Sequence, residues 1–247
     1  MSYIHAEELV KQYGRGEAVV TAVGGVSLQI DEGEFVAIMG ESGSGKSTLL
    51  SMLGGLNSPT SGRFLVNEIE VYALTSDERA DFRKNSIGFV FQNFHLLPYL
   101  TLAENVMLPL AIVNGSKKNK LSAAIDALAR VGLHNKATRL PGQISGGEQE
   151  RVAIARAIVN RPPMILADEP TGNLDTRTGV EVMKLLALLN REGITVIMVT
   201  HSNEYAHYAR RLVALSDGQL VREETVMGEG GWRRDEEGAT LATPARG

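Results

Sequence analysis

The chain has 247 residues, a formal net charge of −4 and a pI near 5.8, a balance that argues against a protein built to coat nucleic acid, which would be basic. Hydrophobic residues make up 43% and charged residues 22%, ordinary values for a globular chain with one good core and room for lobes. There is no cysteine, which excludes a disulfide framework, a thiolate zinc site and a cysteine nucleophile.

No run approaches the ~18 uninterrupted apolar residues of a membrane-spanning helix. The best stretch, Leu96 to Val113, is broken by Pro98, Glu104, Asn105 and Pro109. The first residues, Met1 to Glu8, put no basic flank ahead of an apolar core and do not read as a signal peptide. A role at a membrane is expected to come through a partner.

In chain order, Val19 to Ile30 is rich in β-branched residues and ends at the acidic turn Asp31-Glu32-Gly33, so it reads as a strand. Glu34 to Met39 is a short apolar run suited to a buried strand. A glycine-rich loop covers Gly40 to Gly45, a helix Lys46 to Leu53, a hairpin Arg63 to Val71 and a buried strand Ser86 to Phe91. From Asn93 to about Asn160 the pattern is helical, with helices expected over Leu102 to Ala111, Leu121 to Val131 and Gly147 to Asn160. The run Lys117-Lys118-Asn119-Lys120 between them reads as a solvated basic loop. Alternation then returns: strand Met164 to Ala167, helix Thr176 to Glu192, strands Thr195 to Thr200 and Arg211 to Ser216. Such alternation predicts an α/β fold with a largely parallel sheet, and the helical block reads as a lobe inserted into it at about 93–160. One domain is expected over 1–225. From 226 to 247 the glycine-rich, charged sequence, which holds the lone Trp232, predicts a disordered tail.

Two segments carry recognisable chemistry. Gly40-Glu41-Ser42-Gly43-Ser44-Gly45-Lys46-Ser47 fits the phosphate-loop pattern, with Thr48 following. Glycines let backbone N–H groups curl inward around a triphosphate, and the helix that follows adds its positive end. Lys46 supplies a full charge to the β/γ-phosphates and the Ser47 hydroxyl a ligand for Mg²⁺. Met164 to Glu169 is an apolar strand ending in two carboxylates: Asp168 suits Mg²⁺, and Glu169 is placed to polarise a water in line with the γ-phosphate. A third segment, Ile144-Ser145-Gly146-Gly147-Glu148-Gln149, opens a helix with small residues and forms a second anion-binding start. Ser145 also reads as a simple N-cap, which coexists with that reading. His201 follows the strand ending at Thr200, where it can touch a γ-phosphate or serve the structure alone.

Taken together, over about residues 2 to 224, these segments resemble the ABC (ATP-binding cassette) ATPase family. The order is the family's: phosphate loop at 40–47, Gln92 after Phe89-Val90-Phe91, signature at 144–149, Asp168-Glu169, Asn173-Leu174-Asp175, and His201. The resemblance implies a P-loop NTPase fold with a RecA-like parallel core, an antiparallel β subdomain and an inserted helical subdomain. It implies ATP and Mg²⁺ as cofactors and hydrolysis of ATP. By resemblance, Tyr13 stacks on adenine, Gln92 ligates Mg²⁺ and senses the γ-phosphate, and His201 is the γ-phosphate switch. Ser145, Gly146, Gly147 and Glu148 form the signature, in which Ser145 and Gly147 contact ATP held by a second copy of the chain. Asp175 links the two sites. The signature departs from its commonest form in Ile144 and Glu148 but keeps the serine and both glycines.

Phe94-His95-Leu96-Leu97-Pro98, Leu102 to Val106 and Asp168 to Asp175 are similar to the subgroup that serves lipoprotein release, macrolide export and bacterial cell division. That implies an integral-membrane permease as partner, a place on the cytoplasmic face of the inner membrane, and export or periplasmic mechanical work. A non-transport regulatory ATPase docking on a membrane protein, or a soluble ABC ATPase, would carry the same motor sequence. A chromosome-maintenance ATPase would carry a long coiled coil between the phosphate loop and the signature, and no sustained heptad pattern occurs there. No nucleic-acid partner is expected.

Overall fold

In a computed structural model, which describes residues 2–227 and 231–232, the expected alternation of strand and helix is present. The elements are β1 (Ile4–Tyr13), β2 (Val20–Ile30), β3 (Phe35–Met39), α1 (Lys46–Leu53), β4 (Ser61–Val66), β5 (Ile69–Glu70), α2 (Ser76–Ser86), β6 (Ile87–Phe91), α3 (Leu102–Met107), α4 (Lys117–Arg130), α5 (Gly146–Ile158), β7 (Met164–Asp168), α6 (Thr176–Arg191), β8 (Thr195–Thr200), α7 (Asn203–Ala206), β9 (Arg211–Ser216), β10 (Gln219–Met227) and β11 (Gly231–Trp232).

Two sheets form. The larger has the order β11-β10-β9-β3-β8-β7-β6. Its five strands β9, β3, β8, β7 and β6 are mutually parallel, while β10 and β11 run antiparallel at one edge. The smaller, β2-β1-β4-β5, is antiparallel throughout. The parallel strands are apolar on both faces, as a sheet covered on both sides requires. Phe35, Ala37, Ile165, Ala167, Val196 and Met198 face one core, shared with α3, α4, α5 and α6. Their neighbours Val36, Ile38, Met164, Leu166, Ile197 and Val199 face a second core, shared with α1 and the antiparallel sheet. The period-2 split of each strand is therefore what joins the three parts of the fold.

Three expectations need correction. Lys117–Lys120 is the first turn of α4, where Ser116 accepts from the Asn119 N–H as N-cap, and is not a loop. The helix expected over Leu102 to Ala111 stops at Met107 and tightens into a 3₁₀ segment over Leu108–Ile112, because Pro109 has no N–H to continue the α ladder. The domain runs past 225: β10 continues to Met227 along β9, and Gly231–Trp232 pairs with it. The rest of the expected tail lies outside the described residues. Five elements were not expected at all: β1, α2, α7, β10 and β11.

Among the described residues no helix is long and apolar enough to cross a membrane.

Candidate active site

The sheet order and register bring the motifs together. Met39 lies beside Thr200, Val199 beside Asp168, and Asp168 beside Phe91. The residues just beyond these strand ends (Gly40, His201, Glu169 and Gln92) therefore line one edge of the sheet, the carboxyl edge where open α/β folds bind ligands.

The phosphate loop follows β3. A Cβ on Gly40 would lie 2.2 Å from the Leu215 carbonyl oxygen. A Cβ on Gly45, whose φ is +97°, would lie 2.1 Å from the Ala22 carbonyl oxygen. Only glycine fits at either place. Gly43, at φ +83°, faces open space, and Glu41 and Ser42 are exposed beside it. Ser44 is buried and its Oγ has no hydrogen-bond partner. Lys46 is only 6% exposed. Its ammonium turns back across the loop and donates to the Gly40 and Glu41 carbonyl oxygens at 2.8 and 2.6 Å. Thr48 stands half-buried in the first turn of α1. Ser47 Oγ donates to Asp168 Oδ1 at 3.0 Å. Burial raises the Asp168 pKa, with the nearby Glu169 charge adding to it, while the Ser47 bond and Lys46 oppose the rise. A divalent cation against that carboxylate would favour its charged form. The set fits a nucleoside triphosphate with Mg²⁺: a buried ammonium within a ring of glycines, an unpaired hydroxyl, and a hydroxyl–carboxylate pair of hard oxygen donors.

Glu169 occupies the left-handed region at φ +47°, a conformation that costs a non-glycine residue roughly 1–2 kcal/mol. It is held by its N–H, which donates to the Val199 carbonyl at 3.0 Å, and by its own carbonyl, which accepts from the Gly172 N–H at 3.0 Å. Its side chain is 21% exposed, and Oε1 is 3.2 Å from Nδ1 of His201, whose ring is 63% exposed. Gln92 joins them. A Cβ on Gly172 would lie 2.8 Å from Gln92 Nε2 and 3.3 Å from Glu169 Oε2, so the carboxamide and the carboxylate converge on the space that this glycine leaves.

The signature lies elsewhere in the chain's own contacts. Ser145 N-caps α5 in a capping box with Glu148. Lys136 ion-pairs with Glu148 and, as the largest influence, holds its pKa down. Gly146 follows Ser145 at the start of α5, beside Leu174. A Cβ on Gly147 would meet Thr178 Cγ2 at 2.0 Å, so this glycine also lets α5 pack against α6. Asp175 N-caps α6, accepting from the Thr178 N–H at 3.0 Å and its hydroxyl at 2.6 Å, bonds that lower its pKa. None of these hydrogen bonds reaches the phosphate loop. Tyr13 ends β1, 45% exposed. Its hydroxyl accepts from Asn57 Nδ2 at 2.6 Å and its ring lies 5.3 Å from the Lys11 ammonium.

The structure thus gathers Lys46, Ser47, Gln92, Asp168, Glu169 and His201 at one edge. Sequence reasoning gave no role to Asn173, which donates to the Gln92 carbonyl at 2.8 Å. It also passed over Arg156, whose guanidinium donates to the Phe94 and His95 carbonyls at 2.6 Å each. Nothing in the local pattern signals contacts made across so many residues of chain.

The family model described as ABC transporter matches residues 23–172. A macrolide export ATP-binding/permease protein MacB of Chlorobium phaeobacteroides is 51% identical over 214 residues, which is 87% of this chain and 32% of that protein. The uncharacterized ABC transporter ATP-binding protein MJ0796 of Methanocaldococcus jannaschii is 46% identical, covering 91% of this chain and 98% of that one. The dimeric structure of MJ0796 in a post-hydrolysis state, bound to ADP and Pi, superposes with a TM-score of 0.84 at 44% identity, covering 92% of this chain and all of that chain. The chain spans about a third of the length of the MacB relatives.

Proposed function

The chain belongs to the ABC transporter family of ATP-binding domains, and on that premise we propose that it is the ATPase subunit of an export or mechanical-work system of the MacB kind, acting on an integral-membrane permease. The observation that carries the reading is the convergence of Lys46, the Ser47–Asp168 pair, Gln92, Glu169 and His201 at one sheet edge.

In this reading two copies close around two nucleotides. The glycines of the loop aim backbone N–H groups at the phosphates, and Lys46 leaves its two carbonyl partners to pair with them. Ser47, Asp168 and Gln92 would hold Mg²⁺, which offsets phosphate charge when bound. Glu169 accepts a proton from the attacking water, and His201, 3.2 Å from it, orients that carboxylate. Tyr13 offers its exposed ring to the base. Ser145 and Gly147, whose polar contacts leave the chain's own phosphate loop untouched, complete the partner copy's site. Neither half is whole alone, so ATP favours the closed dimer.

Supporting the permease as partner, a groove of about 430 Å³ opens beside the segment after Gln92, lined by Ile87, Phe89, Phe91, His95, Pro109 and Ile112. Tyr99 and Ile112, 72% and 70% exposed, add apolar surface nearby. A permease helix in that groove would feel the loop move.

The test is to purify tagged Glu169→Gln chain with Mg-ATP from detergent-solubilised membranes of its own host and identify by mass spectrometry what comes with it. A permease with a large extracytoplasmic domain, at about one to one, is expected. A compact multi-spanning permease would remove the subgroup, and only soluble proteins or nucleic acid would remove the transport role.

A further inference from the structure

The loop that follows β6 is held at two points. At its far end Phe94 and His95 both take the left-handed conformation, at φ +52° and +50°, unfavourable for side chains of this size. Arg156, from the helix that starts at the signature, binds both of their carbonyls. At its near end Asn173 Nδ2 donates to the Gln92 carbonyl at 2.8 Å and to Asn93 Oδ1 at 3.2 Å. Asn173 belongs to the short turn that begins at the catalytic carboxylate: Gly172 N–H donates to the Glu169 carbonyl, and Leu174 N–H to the Thr171 carbonyl. The same turn leaves, at Gly172, the space where the Gln92 carboxamide meets Glu169. The Asn173 side chain therefore fastens the backbone of Gln92 to the turn that opens at Glu169, within one subunit.

We propose that Asn173 is a positioning residue that ties Gln92 to Glu169, so that a displacement of the 92–95 loop moves the metal-side carboxamide and the water-activating carboxylate together. This rests on the ATPase reading above and names a link inside one chain, separate from the contacts between copies. Asn173 touches neither the phosphate loop nor Tyr13 by any hydrogen bond in the structure, so nucleotide affinity is not its task. Asn173 is exposed, so losing its bonds leaves no buried group unsatisfied and the variant folds.

The experiment compares wild type, Asn173→Ala and Asn173→Asp. The aspartate keeps the shape but has no N–H to offer and sets a carboxylate against two oxygen acceptors. Both variants are expected to lower kcat by roughly threefold to tenfold, the range one lost hydrogen bond accounts for, with KM for ATP within about twofold of wild type. Without nucleotide, hydrogen exchange of a peptide spanning Gln92 to His95 is expected to quicken in both, while peptides of α1 and β8 exchange as in wild type. An aspartate variant that matches wild type in kcat, an unchanged exchange rate at 92–95, or a loss shared equally between kcat and KM would each overturn the link. The exchange arm needs no ATP hydrolysis. A wild type that does not hydrolyse ATP would remove the ATPase reading, and the exchange result would still decide whether the Asn173 link exists.

Discussion

Glu150 lies in α5, directly after the signature, with no exposed surface, and neither carboxylate oxygen has a hydrogen-bond partner. Burial pushes its pKa up to about 9, against the attraction of Arg156. In the unfolded chain the same carboxyl titrates near 4.5. Between those two values the folded chain keeps a proton that the unfolded chain has given up. Stability from this group is therefore whole below pH 4.5 and is lost as pH rises towards 9, by about 1.4 kcal/mol per unit. At pH 7.5, about three units into the window, the loss amounts to roughly 4 kcal/mol, a large share of the 5–15 kcal/mol that holds a typical domain together. Glutamine has the same shape and no proton to retain. Glu150→Gln is therefore expected to match the parent near pH 5, to gain stability steadily with pH, and to level off above about pH 9. Urea unfolding of both chains across that range measures the difference. An offset that stays constant with pH, or a variant less stable than the parent at pH 8, would show that Glu150 does not keep its proton in the folded chain.

Two further outcomes follow from the geometry. Asn105 has no exposed surface and its side chain holds the Leu97 N–H and the Leu97, Leu100 and Thr101 carbonyls at 2.7 to 3.1 Å. Asn105→Ala strands those groups and is expected to cost about 3 kcal/mol in urea unfolding, with faster hydrogen exchange over 97–101. Tyr13→Ala removes the exposed ring proposed to carry the base, and is expected to raise KM for ATP roughly fivefold to a hundredfold, the worth of one stacked base, with kcat little changed. Steady-state kinetics separates the two constants.

The phosphate loop and the strands around it were legible because there the chemistry is local. Glycines needed for curvature, an apolar strand before and a helix after all fall between Phe35 and Leu53, and α1, β8 and β9 have the expected bounds. β1 was hidden because its alternation breaks: Glu8 sits at φ +46° and the pairing shifts register between Ala6 and Leu9, so apolar residues fall out of step. α2 buries only Phe82 among its residues, leaving no apolar stripe to read, and is announced solely by the Thr75–Glu78 capping box. The first turn of α4 misled for an electrostatic reason. Lys117, Lys118 and Lys120 crowd the end of a helix where carboxylates are favoured. At the site, single motifs were readable one by one. That Gln92 meets Glu169 over Gly172, and that Asn173 joins them, depends on β6 pairing with β7, a long-range fact that spacing does not contain.

In the proposed mechanism ATP completes its site only between two copies, and Glu169 ends that state by hydrolysis. Light scattering of Glu169→Gln with Mg-ATP tests it most directly. The mass is expected to double from 26.7 kDa and to return to the single-chain value when Ser145→Arg is added, and hydrolysis to fall by ~10²–10⁴-fold. A chain that binds ATP yet stays single, or that hydrolyses it at the parent's rate, would contradict it.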